Sequence, residues 1–95
     1  MKVAMFSTKP YDQATFEAAN AEHGHQLDFL EDRLRGRSAP LAEGADAVCI
    51  FVNDVADARV LGKLHDRGVR FVALRCAGYN NVDVAAAQQL GMVVV

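Results

Sequence analysis

The sequence predicts an α/β protein, a parallel sheet with helices on both faces. Three observations predict it: short unbroken apolar runs recur along the chain, stretches with helical spacing lie between them, and glycine, asparagine or aspartate punctuates the joins. Unbroken runs rich in Val, Ile and Phe suit strands covered on both faces, as in parallel sheets.

Val3 to Phe6 is the first apolar run, Gln26 to Leu30 a weaker one, and Ala47 to Val52, Phe71 to Leu74 and Met92 to Val95 the rest. Asp12 is placed to cap a first helix that carries Phe16 and Ala19 on one face and stops at Gly24. Asn53 or Asp54 can cap a second, where Val60, Leu61 and Leu64 recur at helical spacing before Gly68. Asn80 or Asn81 can cap a third, running through Val84 and the alanines to Leu90 and ended by Gly91. Asp57 and Asp83 then fall in first turns, where a carboxylate meets the positive end of the helix. Glu31 to Gly44 reads as a loop with one turn of helix around Leu41. Right-handed crossovers between these strands give the flavodoxin-like order 2-1-3-4-5. The last apolar run reaches the final residue, so the sheet is expected to continue in polypeptide outside these 95 residues.

Composition narrows the function classes. A chain with 52% hydrophobic and 23% charged residues suits a folded protein of one domain and not a disordered one. A net charge of −2 gives no electrostatic footprint for nucleic acid, and a solvated turn accounts for the local cluster Arg33, Arg35 and Arg37. There is no signal-peptide pattern and no run long enough to span a bilayer, so a cytoplasmic location is expected. Cys49 and Cys76 show no metal spacing and read as reduced thiols, Cys49 within a strand core. His23 and His25 flank Gly24 and read as helix-end residues, so no metal site is assigned.

In an open α/β sheet, ligands bind beyond the carboxyl ends of the strands near the point where strand order reverses. Ser7 to Tyr11, Phe51 to Asp54 and Arg75 to Asn81 occupy that edge. The third segment is the most informative. Gly78 permits a tight turn and close approach of a ligand to the main chain, and successive amides there can form a nest for a small carboxylate. An ordinary strand-to-helix loop containing a glycine explains the same residues. Arg75 is expected to pair with a nearby carboxylate and is given no catalytic role, and Cys76 reads as inert or ligand-facing. None of the seven glycines lies two positions from another, so the dinucleotide fingerprint G-x-G-x-x-G is absent.

The stretch Phe71-Val-Ala-Leu-Arg-Cys-Ala-Gly-Tyr-Asn-Asn-Val-Asp83, with the alanine-rich helix and Gly91-Met-Val-Val after it, resembles the amino-terminal signature of D-isomer-specific 2-hydroxyacid dehydrogenases. Phe6-Ser-Thr-Lys-Pro-Tyr-Asp12 and Ala45-Asp-Ala-Val-Cys-Ile-Phe-Val-Asn-Asp54 resemble the D-lactate dehydrogenase branch. The resemblance implies that residues 1–95 are the amino-terminal part of a flavodoxin-like substrate domain, with an NAD-binding Rossmann domain inserted beyond them. It implies a 2-keto acid such as pyruvate as substrate, NAD as coenzyme, and a homodimer whose contacts come largely from the coenzyme domain. It also implies that the amides of Cys76, Ala77 and Gly78 hold the substrate carboxylate and that Phe51 lines the pocket. The family's catalytic arginine, acid and histidine match no residue here, so the 95-residue chain is expected to be inactive alone. Two other readings compete: a receiver module, for which Asp54 is the one candidate phosphoacceptor, and a stand-alone module that binds a small acid.

Overall fold

Five short strands alternate with helices in the sequence-predicted order, in a computed structural model that describes residues 1–21, 24–51, 54–75 and 81–95. They are β1 (Lys2–Met5), α1 (Pro10–Asn20), β2 (Gln26–Phe29), a 3₁₀ turn (Ala39–Ala42), β3 (Ala47–Ile50), α2 (Ala58–Asp66), β4 (Phe71–Leu74), α3 (Val84–Gln89) and β5 (Val93–Val94). The sheet is parallel throughout, in the order β2-β1-β3-β4-β5. This is the flavodoxin-like arrangement, with its reversal of strand order between β1 and β3.

Register sorts the side chains onto two faces. Ala4, Val48, Val72 and Val94 lie side by side across β1, β3, β4 and β5, and Ile50 pairs with Leu74. These residues join Val60, Leu61 and Leu64 of α2, Ala87 of α3 and Ala39 and Ala42 of the 3₁₀ turn in one hydrophobic cluster. The period-two alternation of a strand puts Met5, Phe29, Cys49 and Ala73 on the opposite face. Right-handed crossovers send α1 to that second face. Its cover there is thin, because α1 buries none of its residues and Phe71 and Val93 remain exposed. Among the described residues no helix is long and apolar enough to cross a membrane.

The helix starts differ from those expected. α1 begins at Pro10 after Lys9, and the Asp12 carboxylate accepts from the Lys9 amide at 2.8 Å rather than capping the helix from outside. Proline suits this first position because its missing N–H would have had no intrahelical partner. Asp57 caps α2, accepting from the Val60 amide at 2.9 Å, and Asp83 caps α3, accepting from the Ala86 amide at 3.0 Å. Asp54 is not a cap because its carboxylate is engaged elsewhere. Asn81 is not one because the backbone on either side of Ala56 and Val82 is drawn into a parallel bridge, with Ala56 N–H donating to Asn81 O and Asp83 N–H to Ala56 O. Asn53 and Asn80, the other proposed caps, lie outside the described residues, as does His23. Gly68 and Gly91 do follow α2 and α3 with φ of 91° and 74°, the left-handed conformation that ends helices.

One face carries most of the packing, and stability should follow that asymmetry. Leu61→Ala, in the fully buried contact between α2 and the sheet, should cost about 2–5 kcal/mol in urea unfolding. Phe71→Ala on the thinly covered face should cost well under half as much. Equal losses would contradict this assignment of the core.

Candidate functional site

The carboxyl edge of the sheet holds a cavity of about 760 Å³, lined by Ser7, Lys9, Tyr11, Asp12, Phe16, Glu31, Arg33, Phe51 and Arg75. Ser7 follows β1 and Phe51 follows β3, so the cavity opens at the reversal of strand order, where open α/β sheets bind ligands.

Asp54 organises this edge. It is fully buried, and its carboxylate accepts three hydrogen bonds of 2.6 Å: Oδ1 from Ser7 Oγ and the Leu34 amide, Oδ2 from the Phe51 amide. One side chain thus ties the β1–α1 turn, the long loop after β2 and the end of β3. Charge-assisted bonds to backbone amides are among the stronger ones, and a buried carboxylate without them would be costly. Enclosure also closes Asp54 to a phosphoryl donor, which removes the candidate phosphoacceptor on which the receiver reading depended.

Ser7 is held in an unusual conformation by the same contacts. Its φ of 57° makes it the one non-glycine residue with positive φ among those described. Its amide donates to Asp32 O at 2.9 Å, and its carbonyl accepts from Arg75 Nη2 at 3.3 Å. Strained backbone persists where surrounding contacts over-determine it. The turn points the chain into α1 beside the cavity.

Arg75 meets different partners from those expected. No ion pair with a carboxylate is found for it among the described residues; Nη2 donates to Phe6 O at 2.5 Å, and the guanidinium carbon lies 5.0 Å from the Phe51 ring centre and 5.5 Å from that of Phe16. The carbonyls at the end of β1 and two aromatic faces take the place of an anion. Phe16, read from spacing as a core position of α1, is half-buried against this arginine, and Ala19 is exposed. Cys49 is buried as expected. Burial pushes its thiol pKa up, Arg75 beside it pulls down, and Asp54 pushes up.

Of the residues expected to bind a substrate, Phe51 is on the cavity wall. Cys76, Ala77 and Gly78 lie outside the described residues. Both flanks of that segment are anchored at the cavity edge. The Arg75 amide donates to Ile50 O at 2.9 Å, and Asn81 Nδ2 donates to Phe51 O at 2.9 Å and Asp54 O at 3.1 Å. Spacing alone did not reveal Lys9, Arg33 or the hub role of Asp54. The one available signal was position, since all three follow directly on strand ends or the loops between them. Arg33 and Arg37 are exposed, in keeping with a solvated turn, although Arg33 also borders the cavity. Among the described residues no group of three or more His, Cys, Asp or Glu is placed to hold a metal ion.

The profile of the D-isomer specific 2-hydroxyacid dehydrogenase catalytic domain matches residues 3–95. A 2-hydroxyacid dehydrogenase homolog of Zymomonas mobilis is 54% identical over 95 residues, and the D-lactate dehydrogenase of Escherichia coli 47%. Both alignments cover 100% of this chain and 29% of the relative, so the chain spans less than a third of the length of the curated relatives it matches. The apo structure of the E. coli enzyme superposes with a TM-score of 0.97 over 100% of this chain and 30% of that one.

Two outcomes follow from the geometry. Asp54→Asn places an amide NH₂ opposite a backbone N–H, and should cost about 1–3 kcal/mol while speeding amide exchange at Leu34 and Phe51. Unchanged exchange there would contradict the hub. In a Cys76→Ser background, Cys49 should resist thiol reagents in the folded chain and react on unfolding. Because the folded thiol holds its proton more tightly than the unfolded one, the sign of the linkage makes stability fall as alkaline pH ionises the unfolded thiol. Rapid native-state labelling at neutral pH would contradict its burial.

Proposed function

Because the chain belongs to the D-isomer-specific 2-hydroxyacid dehydrogenase family, we propose that it is the amino-terminal part of the substrate domain of an NAD-dependent enzyme that reduces a small 2-keto acid, such as pyruvate, to the D-2-hydroxy acid. The observation that carries this reading is the position of the cavity, at the strand-order reversal of a parallel sheet with Phe51 and Arg75 on its wall. A small acid suits such a place. Its carboxylate would take the main-chain amides of Cys76, Ala77 and Gly78, which lie in sequence between the anchored Arg75 and Asn81, and its apolar end would rest against Phe51. The relatives named D-lactate dehydrogenase support pyruvate as the substrate class.

Among the described residues the start of α1 is not built like a dinucleotide-binding turn. After β1 the chain runs Ser7-Thr8-Lys9-Pro10 rather than through a glycine-rich turn, and the Asp12 carboxylate already occupies the amide at the start of α1. NAD, whose nicotinamide supplies the hydride, would therefore be held by an inserted Rossmann domain outside residues 1–95. The proton donor and the arginine that polarises the keto group would also come from outside these residues. The role of this chain is to bind and orient the acid, and to close one wall of a site from which water is excluded once the second domain covers it. A cytoplasmic homodimer assembled through the coenzyme domain completes the reading.

A hybrid tests it: this chain replacing the matching segment of the E. coli D-lactate dehydrogenase. The hybrid should oxidise NADH with pyruvate, and the 95-residue chain alone should show no turnover. A well-folded hybrid without activity, or turnover by the chain alone, would count against the proposal.

A further inference from the structure

Phe51 is held at its backbone, and a cation stands over its ring. Its amide donates to Asp54 and its carbonyl accepts from Asn81, yet the residue is 40% exposed and stands outside the hydrophobic cluster. Among the described residues, the guanidinium of Arg75 stands over the ring, 5.0 Å from its centre. Arg75 is itself oriented from a distant part of the chain, by the carbonyls of Phe6 and Ser7, and it approaches the Phe16 ring as well. A planar cation with several donors can bond carbonyls in its plane while its face meets a ring; an ammonium cannot.

We infer that Arg75 is a positioning residue for substrate choice: it holds the Phe51 ring as the wall against which the side chain of the keto acid is measured. The inference rests on assigning the cavity to the keto acid. A ring with backbone restraints alone can turn about its side-chain torsions, and only a fixed wall discriminates chain length. Arg75 links that wall to the Ser7 turn, so the width of the cavity between β1 and β3 is set by a side chain from β4's end. A positive charge alone does not fill this role; the flat face and the in-plane donors are needed as well, so lysine should not substitute.

Arg75→Gln and Arg75→Lys in the hybrid enzyme provide the test, with Phe51→Leu and the double variant Phe51→Leu/Arg75→Gln. Both arginine variants should raise KM for pyruvate roughly tenfold with kcat changed far less, the pattern of lost ground-state positioning. Both should also raise kcat/KM for a longer 2-keto acid relative to pyruvate. Once Phe51 is leucine, Arg75→Gln should change that ratio little further, because the two act through one wall. Full activity and unchanged selectivity in Arg75→Lys would overturn the inference, as would a loss of kcat and kcat/KM with selectivity intact, which a merely structural role produces. NMR on the 95-residue chain separates this inference from the enzyme assignment. Arg75→Gln should shift and broaden the Phe51 ring signals while the methyl signals of Leu61 and Val72 stay in place. Unmoved Phe51 signals would overturn the role of Arg75 even in an active hybrid, whereas a folded but inactive hybrid would overturn the dehydrogenase reading instead.

Discussion

One buried carboxylate holds the working edge of this domain together. Parallel strands end in separate loops, and nothing in the sheet's own hydrogen bonding fixes how those loops stand to each other. Asp54 does so by accepting from Ser7, Leu34 and Phe51, which belong to three different connections. The cost of burying a charge is offset only if every bond is made, so the three loops are set as a unit. The left-handed Ser7 turn and the exit of Phe51 from β3 are both consequences of that arrangement.

Arg75 and Asn81 extend the same constraint to β4. They bracket the segment that the family resemblance assigns to the substrate carboxylate, and both donate to main-chain carbonyls around the cavity. Side chains from one connection thus set where the backbone of another lies, and Phe51 and Arg75 from two of these connections stand together on the cavity wall.

The sequence disclosed the sheet well because β1, β3 and β4 need apolar residues on both sides, leaving unbroken runs such as Ala47 to Ile50, all buried. Helix starts were less legible. Each joint offers several acids or amides, Asn53, Asp54 and Asp57 at one and Asn80, Asn81 and Asp83 at another. Which of them caps depends on which is claimed by a distant partner, and only the folded chain decides that. Phe16 and Arg75 show the same limit. Helical spacing assigns Phe16 to a core and charge assigns Arg75 to a carboxylate, whereas the fold brings the two to each other. Phe51 was picked out by the family resemblance, in a segment at the edge where ligands bind, whereas Asp12 and Phe16 were read as helix residues and meet the cavity only in the folded chain.

The claim at the centre of this account is that the edge organised by Asp54 receives a small keto acid. A crystal structure of the hybrid enzyme with oxamate, a pyruvate mimic, tests it most directly. The oxamate carboxylate should lie against the main chain of Cys76 to Gly78, with the Phe51 ring alongside and the Asp54 bonds to Ser7, Leu34 and Phe51 intact. Oxamate bound away from that edge, or bound there with the Asp54 bonds broken, would contradict it.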